Sequence, residues 1–222
     1  MDQENQPPGI QIEEINTQVN IEDNSKFEII AGIIIAFFTA ILAIASLAGN
    51  SYGQSVLLGN SQKNSAYDWY NTKGIKQMIV EGQKETVASL LASGLIKAEA
   101  KAMLQQNLAG LDKSIAKYTN EKNEIMVGSA ALDKSQWAQD VNGEFGKVVG
   151  AQEWENKIAT LDKAGAKMDL ATLFLQICLV VGAISLIMRK PKSKTIFLCL
   201  TVIIGLVGTI HMILGLIISW PF

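Results

Sequence analysis

Few side chains in this sequence could do chemistry, and their positions restrict what that chemistry could be. His211 is the single histidine, Cys178 and Cys199 are the two cysteines, and Arg189 is the single arginine. The histidine and both cysteines fall inside long uncharged stretches. An ionisable group at membrane depth is a functional candidate. A proton relay needs a second titrating member, however, and no uncharged stretch contains an acid. A neutral histidine can instead bond a neighbouring helix. That packing role is the expectation for His211, and also for Gln176, Thr172 and Thr201.

The polar segment 51–167 offers less. It holds 14 lysines and 13 acids, with no His, Cys, Arg or Pro. Zinc coordination and Ser–His or Cys–His nucleophile pairs need residues that it lacks. Gly143-Glu144-Phe145-Gly146-Lys147 looks like a phosphate loop, but the spacing is wrong and no strand is expected before it. Asp140, Asn142 and Glu144 alternate as calcium ligands do, without the rest of the ligand set. No catalytic, cofactor-binding or metal-ligating residue is expected, and no cofactor.

What remains is a cluster of aromatics. Ala66-Tyr67-Asp68-Trp69-Tyr70-Asn71-Thr72-Lys73-Gly74-Ile75-Lys76 gathers three of them in one short segment. Trp and Tyr near a membrane span usually form an interfacial belt. Trp69 lies 20 residues beyond Gly49, about 30 Å along a straight helix, which is outside the headgroup zone. Trp69, Tyr70 and the later Trp154 are therefore expected to anchor helix packing, within one chain or between copies.

The elements that must position these residues follow from hydropathy. The chain has 222 residues, of which 49% are hydrophobic and 18% charged, against about 25% charged in a soluble domain. Mean hydropathy is +0.22. Most of the excess sits in Ile29–Gly49, Leu170–Met188 and Thr195–Trp220, which run 21, 19 and 26 residues without a charge. About 20 apolar residues span a bilayer as a helix. Between Gly9 and Lys190 there is no proline, which favours helix throughout. The expected architecture is all-α, an integral membrane protein with three transmembrane helices. Its divisions are an acidic, disordered tail (1–26), a first transmembrane helix (27–50), an extramembrane helical insert (51–167), a second span (168–188), a basic loop (189–194) and a third span (195–220). The first span follows six acids and one lysine, unlike the short basic leader of a cleaved signal peptide, so it is expected to be a retained anchor.

The first span carries Gly32, Ala36, Ala40 and Ala43 along one helix face, and such small residues let membrane helices approach closely. In the insert, Leu104, Leu108, Leu111, Ile115 and Tyr118 step by 4, 3, 4 and 3. A longer stripe from Trp137 through Val141, Phe145, Val148, Ala151, Trp154, Ile158, Leu161 and Gly165 reaches Met168. Val80, Val87, Leu91, Leu95, Ala98 and Ala102 form a looser one. Each puts apolar groups on one side for a partner helix. Breaks are expected near Asn107–Asp112 and Gly128–Lys134, with Asp133 or Ser135 capping a new helix. The insert is thus expected to be a long helical hairpin or antiparallel coiled coil.

Net charge is −2, and no clustered basic face of the kind that binds nucleic acid exists outside one loop. That loop, Arg189-Lys190-Pro191-Lys192-Ser193-Lys194, carries four cations in six residues. Short loops this basic stay in the cytoplasm. The N-terminus is then cytoplasmic and the insert extracytoplasmic, although Lys157, Lys163 and Lys167 on the other flank of the second span weigh against that orientation.

Four features in order resemble a bacterial membrane-protein family known as domain of unknown function 4337. They are Ala45-Ser46-Leu47-Ala48-Gly49-Asn50 closing the first span; Trp69-Tyr70-x-x-Lys73-x-Ile75-Lys76; Tyr118-x-x-Glu121-Lys122-x-Glu124-Ile125; and Phe174-x-Gln176-Ile177, followed by the basic loop and a last apolar span. The resemblance covers about residues 27 to 220 and implies three membrane helices with a helical insert, no known activity and no defined functional residue; a bacterial inner membrane is the expected location. The acidic tail departs from the family's usual His- and Lys-rich leader, so no role attached to that leader carries over.

The expected function is a non-enzymatic membrane protein of structural or accessory type. It would be a homo-oligomer or part of a larger membrane complex, with the lipid bilayer as its other partner. The alternative is an oligomeric channel or transport component, whose path would have only Thr, Ser, Gln176 and His211 of the spans to use.

Overall fold

A computed structural model of the chain describes residues 25–220 and, for residues 8–24, the helical backbone alone. Of the acidic tail expected over 1–26, residues 1–7 lie outside the described residues, and from Pro8 onward the backbone belongs to helix α1. Four helices dominate: α1 (Pro8–Ala92), α2 (Ala98–Val127), α3 (Ala151–Ile187) and α4 (Pro191–Ser219), with a two-stranded hairpin, β1 (Asp140–Val141) and β2 (Glu144–Phe145), between α2 and α3. Among the described residues the chain is all-α apart from that hairpin. Among the described residues, three helices are long and apolar enough to cross a membrane, within Ser25–Ala92, Ala151–Ile187 and Pro191–Ser219.

Local chemistry sets the helix ends. Gly94, at φ +69°, closes α1 in the left-handed conformation that glycine adopts without penalty. Pro191 opens α4 as its first residue, where its missing N–H is no loss. Proline also pushes the preceding residue out of helical geometry, and Lys190 is extended at φ −86°, ψ 125°.

The chain divides into two compact units, Met1–Tyr52 with Lys163–Pro221, and Gly53–Asp162. In the first, Phe38 and Ala45 of α1 pack with Met168, Ala171, Leu175 and Cys178 of α3, all buried. Helix α4 joins through its glycines. A Cβ on Gly205 would strike the Phe38 ring, and one on Gly208 would lie 2.8 Å from Leu175. The close approach is made by α4 against large residues.

In the second unit, α1 and α2 run antiparallel, as the Lys73–Glu121 and Lys84–Asp112 ion pairs require. Leu104, Leu108, Leu111, Ile115 and Tyr118 are all half-buried, at the expected steps. The break expected at Asn107–Asp112 does not occur; α2 is continuous from Ala98 to Val127. Helix propensity argues for a break there, since Gly costs about 1 kcal/mol relative to Ala. The apolar stripe crosses the site in register and outweighs that cost. On α1, Val80, Val87 and Leu91 are half-buried as expected, whereas Leu95, Ala98 and Ala102 are exposed. Helix α1 ends at Ala92, the register is lost, and Ile96 and Ala100 take up the inward positions.

The second expected break, at Gly128, is present, but the helix expected from Trp137 onward begins only at Ala151. Asp133 caps a single helical turn, Lys134–Gln136, with the Gln136 side chain accepting from its amide. The hairpin follows, its turn made by Asn142 at φ 56° and Gly143 at φ 86°. Two successive positive φ angles define the type I′ turn that Asn-Gly favours. From Ala151 the stripe is as expected: Ala151, Leu161 and Met168 are buried, and Trp154, Ile158 and Gly165 half-buried.

Candidate functional site

Tyr67, Trp69 and Tyr70 of the insert meet in one node. Ala66 of α1, Ile125 of α2 and Ala151 of α3 are its buried core, with Tyr67, Trp69, Tyr70 and Met126 packed against it. Beside Tyr70 lies Lys122, whose ammonium sits 4.8 Å from the ring centroid, a cation–π distance. Lys73 donates to Glu121 at 2.7 Å with both side chains largely buried. Trp69 and Trp154 also line an open cleft of about 260 Å³ with Gln62, Ser65, Val141, Lys147, Val148 and Val149. Lys157 lies 5.3 Å from the Trp154 ring centroid.

The loop between α2 and α3 is held from beneath by Glu124, which is fully buried. One carboxylate oxygen accepts from the Ser129 hydroxyl at 2.7 Å. The other accepts from the amides of Ala138 and Gln139, both at 2.7 Å. The Ser129 hydroxyl also accepts from the Val148 amide, and its carbonyl accepts from the Trp137 indole. A buried charge is tolerated when hydrogen bonds satisfy it in this way. The arrangement fixes backbone.

Glu153 sits at the first turn of α3, against Gly128. Burial pushes its carboxyl above the usual range, opposed by a hydrogen bond from the Gly150 amide. On the outer side, the Tyr67 hydroxyl donates to Glu155 at 2.9 Å. The hydrogen bond, then burial, then the carboxylate's charge raise the Tyr67 pKa.

In the apolar helices, His211 Nδ1 is 2.9 Å from the carbonyl of Val207 and its ring packs 5.5 Å from Phe174. Gln176 is exposed on α3 and makes no hydrogen bond among the described residues. Gly32, Ala36, Ala40 and Ala43 are also exposed. Buried Ala31, Phe38 and Ala45 mark the inward side of α1 instead. The structure thus unites Trp69, Tyr70 and Trp154, and leaves the small residues of α1 and Gln176 facing outward. Sequence reasoning missed Glu124, Ser129 and the α4 glycines. The signal for the hairpin was present as Asn142-Gly143, and that for α4 as Gly205-x-x-Gly208.

These features define an all-helical protein with three potential membrane spans and a polar helical insert between the first two. The chain belongs to the family described as Domain of unknown function (DUF4337), whose model matches residues 27–218. No curated protein and no solved structure matches it.

Proposed function

We propose that this chain is a non-enzymatic integral membrane protein of structural or accessory type, in which three spans anchor a helical-hairpin or coiled-coil insert. It self-associates or attaches to a larger membrane complex. The observation that carries this reading is the outward face of α1. Gly32, Ala36, Ala40 and Ala43 are exposed on a helix of span length, and small residues exposed to lipid suit close approach by another helix. The ionic groups of the insert fit it, since Glu121 and Glu124 are engaged in holding the fold. The basic loop supports an orientation with the N-terminus cytoplasmic and the insert outside, in what would be a bacterial inner membrane.

The test is disulfide cross-linking in native membranes, with Cys199→Ser and single cysteines at Ala36, Ala40 and Ala43. A cross-linked dimer at these positions is expected. Cross-linking at none of them removes the α1 face as the contact. The second reading, an oligomeric channel or transport component, draws on exposed Gln176. Flux through reconstituted protein that falls with Gln176→Leu would favour it.

A further inference from the structure

We propose that the turn between α3 and α4 binds the headgroup of an anionic phospholipid. The inference rests on the membrane-spanning reading of these helices. Arg189, Lys190 and Lys192 are all exposed, and none forms an ion pair among the described residues. Lys194 is different. It is buried, 3.7 Å from Glu28 and 5.5 Å from the Phe27 ring centroid. That contact ties the start of α4 to α1 and offsets one cation with one anion. Arg189, Lys190 and Lys192 remain without an ion pair among the described residues, beside the first amides of α4, which have no carbonyl to receive them in the helix.

The apolar neighbours select the class of anion. Ile187, at the end of α3, is 79% exposed, and Ile196, in the first turns of α4, is 66% exposed. They straddle the cations, so the turn lies where hydrocarbon gives way to headgroups. A phospholipid satisfies both parts, its phosphate meeting the cations and its acyl chains covering the isoleucines. A peptide carboxylate would satisfy only the first. Cations clustered beside a membrane helix on the cytoplasmic side are the expected partners of anionic lipid.

The experiment uses the full chain. Flotation with neutral phosphatidylcholine vesicles comes first, and a chain that does not float overturns the membrane reading itself. The floating protein is then compared in phosphatidylcholine and in phosphatidylglycerol by native mass spectrometry and thermal melting. Retained phosphatidylglycerol and a higher Tm are expected, with a preference on the order of 100-fold for three cations near an anionic surface. The variant R189Q/K190Q/K192Q should lose the preference, and 0.5 M salt (an assay condition, roughly halving the ~8 Å physiological screening length) should weaken it. The control K76Q/K101Q/K113Q, at exposed insert lysines, should keep it. An equal response to both lipids, or an unchanged preference in the loop variant, overturns the proposal. So does a preference that appears only after residues 1–24 are removed, because the acidic tail would then be the occupant.

Discussion

The carboxylate of Glu124 and the hydroxyl of Ser129 meet at 2.7 Å in a fully buried position, and between them they organise the loop that joins α2 to α3. Glu124 takes the amides of Ala138 and Gln139, and Ser129 takes that of Val148. Replacing Glu124 by Ala strands three donors, two of them buried and one half-buried. Each unsatisfied donor costs about 1–3 kcal/mol, so Glu124→Ala should be among the most destabilising single changes in the insert. Ser129→Ala should cost about 1–3 kcal/mol by the same reasoning. Thermal melting in mild detergent measures both, and a Glu124→Ala protein with wild-type Tm would refute the role given to this carboxylate.

Gly110 lies within continuous α2, with open space where a Cβ would go. Gly110→Ala should stabilise the protein by about 1 kcal/mol, the difference in helix propensity. A lower Tm would mean that α2 does break near Asn107–Asp112.

Gly205 faces the Phe38 ring with no room for a methyl group. Overpacking costs about 1–3 kcal/mol, so Gly205→Ala should loosen the packing of α4 on α1. Phe38→Ala should relieve much of that clash. The double variant should therefore be more stable than the two single losses added together, and strict additivity would place Gly205 elsewhere.

Glu153 has its carboxyl pKa raised, first by burial, with the Gly150 amide opposing. A raised carboxyl favours the folded state at low pH, fully below the ordinary value, and loses that contribution as pH rises through the folded pKa. Above the raised pKa the ionised group is therefore a liability. Glu153→Gln, which retains an acceptor for the Gly150 amide, should match or exceed wild-type stability at pH 7. Its advantage should shrink as pH falls through the raised pKa and be gone below the ordinary carboxyl value. Melting curves across pH check the sign, and an advantage that grows on acidification would reverse it.

Gly143, at φ 86° in the hairpin turn, has open space around it. Gly143→Ala should cost about 1–2 kcal/mol through left-handed backbone alone. Faster amide exchange confined to residues 138–148 is the expected result, with helical circular dichroism unchanged. Exchange spreading through α2 and α3 would show the loop to be part of a larger cooperative unit.

The helices were legible because uncharged runs and 4-3 stripes are properties of adjacent residues. Leu104 to Tyr118 shows how far such a stripe can be trusted, since it overrides Asn107, Gly110 and Asp112. The hairpin was not legible because Trp137, Val141, Phe145 and Val148 happen to fall at helical steps. The Asn142-Gly143 pair between them is a turn signal that the stripe masked. Glu124 looked like one more acid on a helix, and its role depends on amides 14 and 15 residues away folding back over it. Among small residues, the first span's drew attention, although Gly205 and Gly208 make the intrachain contact. Which face of a membrane helix turns inward depends on its neighbours, and its own sequence does not report them.

The central claim is association through the membrane-anchored chain, and its mass in mild detergent tests that most directly. Light scattering with native mass spectrometry should find a multiple of the 24.1 kDa chain, or that chain bound to a co-purifying membrane partner. A homogeneous 24.1 kDa monomer with no partner, extracted from native membranes under conditions that keep the helices folded, would contradict it.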